Sequence, residues 1–229
     1  MSQPQEQPPE HPAAVYYPAP AHALAAPKDL TAMGVIAFAT ATLATVFTAV
    51  TATVVGRAVR TGGENAAELD WSVAVYFLGT VLGGLALLAS WIAGAMWLHR
   101  ARKNAESFNP TFHHSRRAGW AWGGWVCPIV NFWFPFQVVR DTHRAVSPRT
   151  TSSLFGWWWG FWIAYLVLDR VSSNVQDNAM VDATNASGAQ GFAIFVALIF
   201  AVALAGWGLV LRRVTQEQHA LMYGGRPAV

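Results

Sequence analysis

The chain has 229 residues and a formal charge of +3, is 54% hydrophobic and only 12% charged, against about 25% charged for ordinary soluble domains. This composition argues against a soluble enzyme. It also argues against a nucleic-acid partner, because the basic residues stand at the ends of apolar blocks and no helix-turn-helix, zinc-finger or RNA-binding signature is present.

Residues 1–27 hold seven of the twelve prolines, in runs such as QPQEQPPEHP. No apolar period runs through them, so residues 1–29 are expected to form a disordered cytoplasmic tail with polyproline II character. The tail lacks the basic start and early apolar run of a signal peptide. The first apolar block, Thr31 to Gly56, is rich in small and β-branched residues. Thr42, Thr45 and Thr48 recur at spacing three, where each hydroxyl bonds back to its own helix. A polar stretch, Arg57 to Asp70, leads to the second block, Trp71 to Leu98, which ends abruptly in HRARK. The third and fourth blocks are Ser153 to Leu168 and Gln190 to Leu211. Each block approaches the roughly 20 apolar residues that cross a hydrocarbon core. Spacings of the G-x-x-x-G type at Gly79/Gly83, Gly119/Gly123 and Gly156/Gly160 would allow close helix approach.

Between the second and third blocks lies WVCPIVNFWFPFQVVRD, Trp125 to Asp141, oily but interrupted. Pro128 and Pro135 each remove a backbone donor and clash with the preceding turn, and Asn131 brings an amide that hydrocarbon does not satisfy. Counting charges gives the same answer. If both ends of this stretch lie on one side, twelve basic residues fall inside and only Arg57, Arg60 and Arg170 outside; a full crossing erases that bias. Trp120, Trp122, Trp125 and Trp133 suit the headgroup level. The only cysteine, Cys127, excludes an internal disulfide and any multi-cysteine metal site, and its apolar setting predicts a small buried residue.

The expected fold is an all-α integral membrane protein with four transmembrane helices at about 31–56, 71–98, 153–172 and 190–211. A Pro-broken re-entrant or interfacial segment covers about 118–139; the membrane domain runs 30–213 and a cytoplasmic C-terminal tail 214–229. The expected location is the cytoplasmic membrane with both termini inside.

From Trp97 the runs WLHRARKNAESF and GWAWGGWVCPIVNFWFPFQVVRDTHRA resemble the bacterial multi-pass membrane family labelled domain of unknown function 4328. The resemblance rests on Trp97, Arg100, Asn104, Ala105, Gly119, Trp120, Gly123, Trp125, Pro128, Asn131, Trp133, Pro135, Gln137, Arg140 and Asp141. Where the family usually has a tryptophan after the acidic residue, this chain has Thr142-His143. The resemblance implies a multi-pass membrane protein and no particular activity.

Two readings of the polar motif residues stand side by side. In one, Asn131, Gln137, Arg140 and Asp141 line a polar pocket and Arg100 binds an anion or lipid headgroup. In the other they cap broken helix ends and meet phospholipid at the interface. His99, His113, His114 and His143 lack metal-site spacing, so neither a metal nor another cofactor is expected. Asp169-Arg170 is expected to be an interfacial ion pair. No nucleophile elbow, phosphate loop or dinucleotide fingerprint is present, so no catalytic residue is assigned. The expected function is a non-enzymatic scaffold or regulator acting through helix packing and a basic cytoplasmic face. Its partners would be anionic lipids and a protein or a second copy of the chain, and no nucleic acid. The alternatives are a small transporter or channel using the Pro-broken segment, and a membrane-embedded lipid-modifying enzyme.

Overall fold

A computed structural model describes residues 28–60, 66–147, 153–181 and 186–223. The Pro-rich tail, apart from Lys28 and Asp29, lies outside them, as do Arg149 and Arg226. Among the described residues the fold is all-helical: α1 (Thr31–Arg60), α2 (Ala66–Phe108), α3 (Trp120–Val126), a 3-10 turn (Val130–Phe132), α4 (Phe134–Val146), α5 (Ser153–Val181) and α6 (Ala186–Met222). Helices α1 and α2 form one antiparallel pair and α5 and α6 another, with α6 also touching α1 and α2.

The long helices overrun their apolar blocks. Helix α2 has 43 residues, about 65 Å at 1.5 Å per residue, because Arg, Ala, Lys and Glu after Leu98 are strong helix formers. Helix α6 continues to Met222, which corrects the expected tail from 214: Val214 and Gln218 are fully buried within that extension. Among the described residues two helices, Val73–Phe108 and Gly188–Met222, are long and apolar enough to cross a membrane, and Thr31–Phe47 is a shorter apolar stretch. Four such helices were expected. The apolar character of α5 is diluted by its Trp and Tyr rings and by a polar second half, SSNVQDN.

The prolines break the chain where their chemistry requires. Cys127 closes α3 through its N–H to the Gly123 carbonyl, and takes extended angles of φ −78° and ψ 113°, as a residue before proline prefers. Pro135 sits in the first turn of α4, where its missing donor costs nothing. At seven residues, α3 is about 10 Å long and crosses nothing. Cys127 is exposed at the break rather than buried, because the turn points Val126 to Ile129 away from the bundle.

Both ends of the 118–139 segment lie at one end of the bundle. His99 of α2 is 3.4 Å from the Ala118 carbonyl, and Arg116 reaches Gln137 across 2.8 Å. The starts of α1 and α5 and the ends of α2 and α6 meet there too, through Lys28–Asn104, His143–Phe155 and His143–Glu217. Every described basic residue except Arg57, Arg60 and Arg170 therefore gathers at this end.

Tryptophan fills the centre. Trp125 sets its ring edge-on to Trp159, Trp162 and Trp207 at 6.3, 6.0 and 6.2 Å, and Trp158 stacks on Trp207 at 5.1 Å. The run FGWWWGFW thus divides: Trp158 and Trp159 are buried and Trp157 is 68% exposed. Thr42 and Thr45 donate back to the Phe38 and Ala41 carbonyls as expected. The spacings at Gly119/Gly123 and Gly156/Gly160 do not mark close helix approaches, since Gly119, Gly156 and Gly160 face open space and Gly123 meets only the Trp120 ring of its own helix. The tight contacts are at Gly206, where an added Cβ would stand 3.2 Å from the Cβ and 3.4 Å from the Cα of Trp158, and at Gly208 against Phe38.

Gly206→Ala is therefore expected to push α5 from α6 and cost about 1–3 kcal/mol, read as a lower melting temperature in detergent. Gly156→Ala, which meets nothing within 4 Å, should leave it unchanged or raise it slightly.

Candidate functional site

The polar residues collect in a cap at the shared end of the bundle. Asn104, 3% exposed, lies nearly two turns past the apolar block and uses all sides of its amide. Its Oδ1 accepts from the Lys28 N–H at 3.0 Å; its Nδ2 donates to the Lys28 carbonyl at 2.8 Å and to Gln218 Oε1 at 3.0 Å. Gln218 in turn donates to the Ala101 carbonyl at 2.9 Å. One turn earlier on α2, the Trp97 ring N–H donates to Thr215 Oγ1 at 3.2 Å. These bonds tie the entry to α1, the end of α2 and the end of α6 into one knot. Ala105 is fully buried beside it, against Ala145 and Val146 of α4.

Helix α4 buries Val138, Val139, Thr142 and Ala145 and fastens the preceding loop. Asp141 accepts from the Ser115 N–H at 2.8 Å, and Arg116 donates Nε to Gln137 Oε1 at 2.8 Å with its guanidinium 3.9 Å above the Phe134 ring. Arg140 pairs with Asp141 at 3.3 Å. Between the end of α2 and this loop is an open recess of about 650 Å³ walled by Arg102, Lys103, Glu106, His113, His114, Arg116 and Arg117. Arg102 is 5% exposed; its Nη2 meets Glu106 and the Arg116 carbonyl, both at 3.3 Å, and its Nη1 is buried with no partner. Burial pulls its pKa down. Both ring nitrogens of His114 are also buried and unpartnered, and burial followed by the nearby Arg102 charge lowers its pKa to about 4.

On the other side of α4, His143 is 2% exposed, packs on Phe155 and stands 3.3 and 3.1 Å from the two carboxylate oxygens of Glu217. A carboxylate only accepts, so Nε2 carries the proton. Arg213 donates to Glu217 at 2.9 Å. Burial pushes the Glu217 carboxyl up, but its bonds with His143 and Arg213 outweigh that and hold it below its ordinary value.

Of the expected pocket residues, Gln137, Arg140 and Asp141 come together, but Asn131 lies apart at the break, with its Oδ1 buried and unpartnered. The four do not line one pocket. Arg100 is half-buried and meets no partner among the described residues. Asp169 and Arg170 are exposed, and among the described residues they form no ion pair with each other. Trp120 packs edge-on to Phe134, Trp133 is 42% exposed, and Gly123 lies under the Trp120 ring. Among the described residues no three His, Cys, Asp or Glu side chains converge as metal ligands would. Sequence reasoning missed Glu217 and Gln218, which it placed in a tail; the run Val210, Val214, Gln218 at spacing four was the available signal.

Fold and cap together define, among the described residues, an all-helical bundle with two helices long and apolar enough to cross a membrane and a polar knot closing one end. A family model, Domain of unknown function (DUF4328), matches residues 60–216, well over half of the chain. The protein belongs to that family. Comparison with curated proteins and with solved structures returns no match.

Asn104→Asp replaces two donors with a buried carboxylate facing two acceptors, and is expected to cost about 2–4 kcal/mol, measured by thermal unfolding in detergent. Because Glu217 titrates lower when folded, its contribution is complete above the ordinary carboxylate value of 4.5 and is lost as pH falls through the folded value. Melting temperature followed downward from about pH 6 should therefore fall less steeply in Glu217→Gln than in the parent at acid pH.

Proposed function

We propose that the chain is a four-span protein of the bacterial cytoplasmic membrane, with both termini and the polar cap inside, the 118–139 segment re-entrant, and a non-enzymatic scaffold or regulatory role. The observation that carries this reading is the return of the segment to the end where it began, Ala118 beside His99 and Gln137 beside Arg116. Its turning point offers apolar side chains outward, with Val126 64% and Ile129 72% exposed, as a loop dipping into lipid requires. Irregular backbone is tolerated at that depth only when held by protein, and Trp159 donates its ring N–H to the Phe132 carbonyl at 3.0 Å. The gathering of basic residues at one end fits the positive-inside rule and attracts anionic headgroups. Outer faces with Val35, Phe77, Leu85 and Leu198 more than half exposed suit lipid or the helices of a partner. The scaffold reading draws on the cap, whose amides and carboxylates mostly satisfy one another.

A second reading, a small transporter or channel, is favoured by Asn131, whose buried Oδ1 and the nearby break leave an unpaired acceptor at membrane depth.

The test uses a Cys127→Ala background with single cysteines at Thr111, Arg144 and Ser187 and an impermeant thiol reagent on intact cells. Labelling at Ser187→Cys alone is expected. Outside labelling of Arg144→Cys would sink the re-entrant reading and move the transporter reading to first place. A partner protein retained in mild detergent, and lost when 118–139 is scrambled, is the outcome expected for a scaffold; flux in liposomes abolished by Asn131→Leu would overturn it.

A further inference from the structure

The recess beside α2 has an unbalanced set of groups. Arg102, Lys103, Arg116 and Arg117 line the recess with one carboxylate, Glu106, which already pairs with both Arg102 and Lys103; Asp141 of α4 acts on Arg102 and His114 from behind the wall and is already engaged by Arg140 and the Ser115 N–H. A guanidinium is always charged and has five N–H donors. Arg102 is 5% exposed and among the described residues leaves Nη1 without an acceptor, an arrangement costly in a protein interior. His114 beside it leaves both ring nitrogens unpaired, its ring edge-on to Phe112 at 4.7 Å. A neutral imidazole offers one donor and one acceptor. Forked donors, point charges at the rim and a donor–acceptor ring complement a tetrahedral oxyanion that still carries a proton.

We infer that this recess is a phosphate-group binding site, with Arg102 and His114 as its inner ligands and Lys103 and Arg117 as its rim. The site takes a phosphate monoester or inorganic phosphate, or the phosphate of an anionic lipid headgroup. Both sources share the recognising chemistry. The headgroup source rests on the orientation proposed above, because the recess must then face a membrane surface; the free-phosphate source does not depend on it.

The test is isothermal titration of the full chain in neutral detergent with inorganic phosphate, against sulfate and chloride at equal ionic strength, then competition by short-chain phosphatidic acid. Saturable phosphate binding is expected, weakened about tenfold by Arg102→Gln and severalfold by Lys103→Gln or Arg117→Gln. Arg144→Gln, an exposed basic position on α4 outside the recess, should leave it unchanged. The two rim variants keep the test valid if Arg102→Gln fails to fold. Competition by phosphatidic acid assigns the site to headgroups, and phosphate binding without competition assigns it to soluble phosphates. No saturable phosphate binding, an equal response to chloride, or equal weakening by Arg144→Gln would each overturn the site. Phosphate binding that persists when thiol labelling contradicts the proposed topology would separate the failure of that reading from the failure of this one.

Discussion

Two prolines seven positions apart constrain the rest of the structure. Pro128 forces Cys127 into extended backbone and ends α3, and Pro135 can only begin a helix, which it does in α4. Between them only a 3-10 turn of three residues fits. Between the two prolines the chain cannot build even one regular α-helical turn. It turns back, and the loop before it and α4 after it arrive at the same end of the bundle.

Such a turn leaves carbonyls and N–H groups that no regular helix satisfies, and the tryptophans answer that need. Cys127 and Val130 carbonyls are met within the turn by the Asn131 and Trp133 N–H groups. The Phe132 carbonyl is met from α5 by Trp159. A phenylalanine at 159 would pack as well but donate nothing. Trp125 then anchors α3 among the rings of α5 and α6, so the broken element is held by shape where backbone pairing is short.

Bringing so many polar groups to one end would be destabilising unless they satisfied one another. Asn104 with Gln218, Gln137 with Arg116, Asp141 with Ser115 and His143 with Glu217 do so. Several motif positions thereby acquire a physical reason. Asn104 must both donate and accept two turns after Trp97, and Ala105 must be small where α4 packs. His143 keeps a buried ring on Phe155 and adds a bond to α6. What the cap leaves over is positive charge, at Arg102 and its neighbours.

Local chemistry sufficed for the sequence to mark the positions of the four long helices, though only two of them are long and apolar enough to span a membrane among the described residues, together with the break between Pro128 and Pro135 and the threonines that bond back to their own helix. Each depends on residues within a turn or two of one another. The charge count also pointed to a segment whose two ends lie together at one end of the bundle, because the placement of basic residues is legible without reference to packing. Only the tertiary structure decided which polar groups meet. Glu217 and Gln218 read as solvated tail because nothing within α6 shows that Asn104 and His143, from distant segments, wait to bond them. The close approaches at Gly206 and Gly208, and the separation of Asn131 from Gln137 and Asp141, depend on helix rotation and on where the turn points. Those are set by the fit of Trp125, Trp158 and Trp207 against one another, a property of the assembled bundle and not of any single stretch of chain.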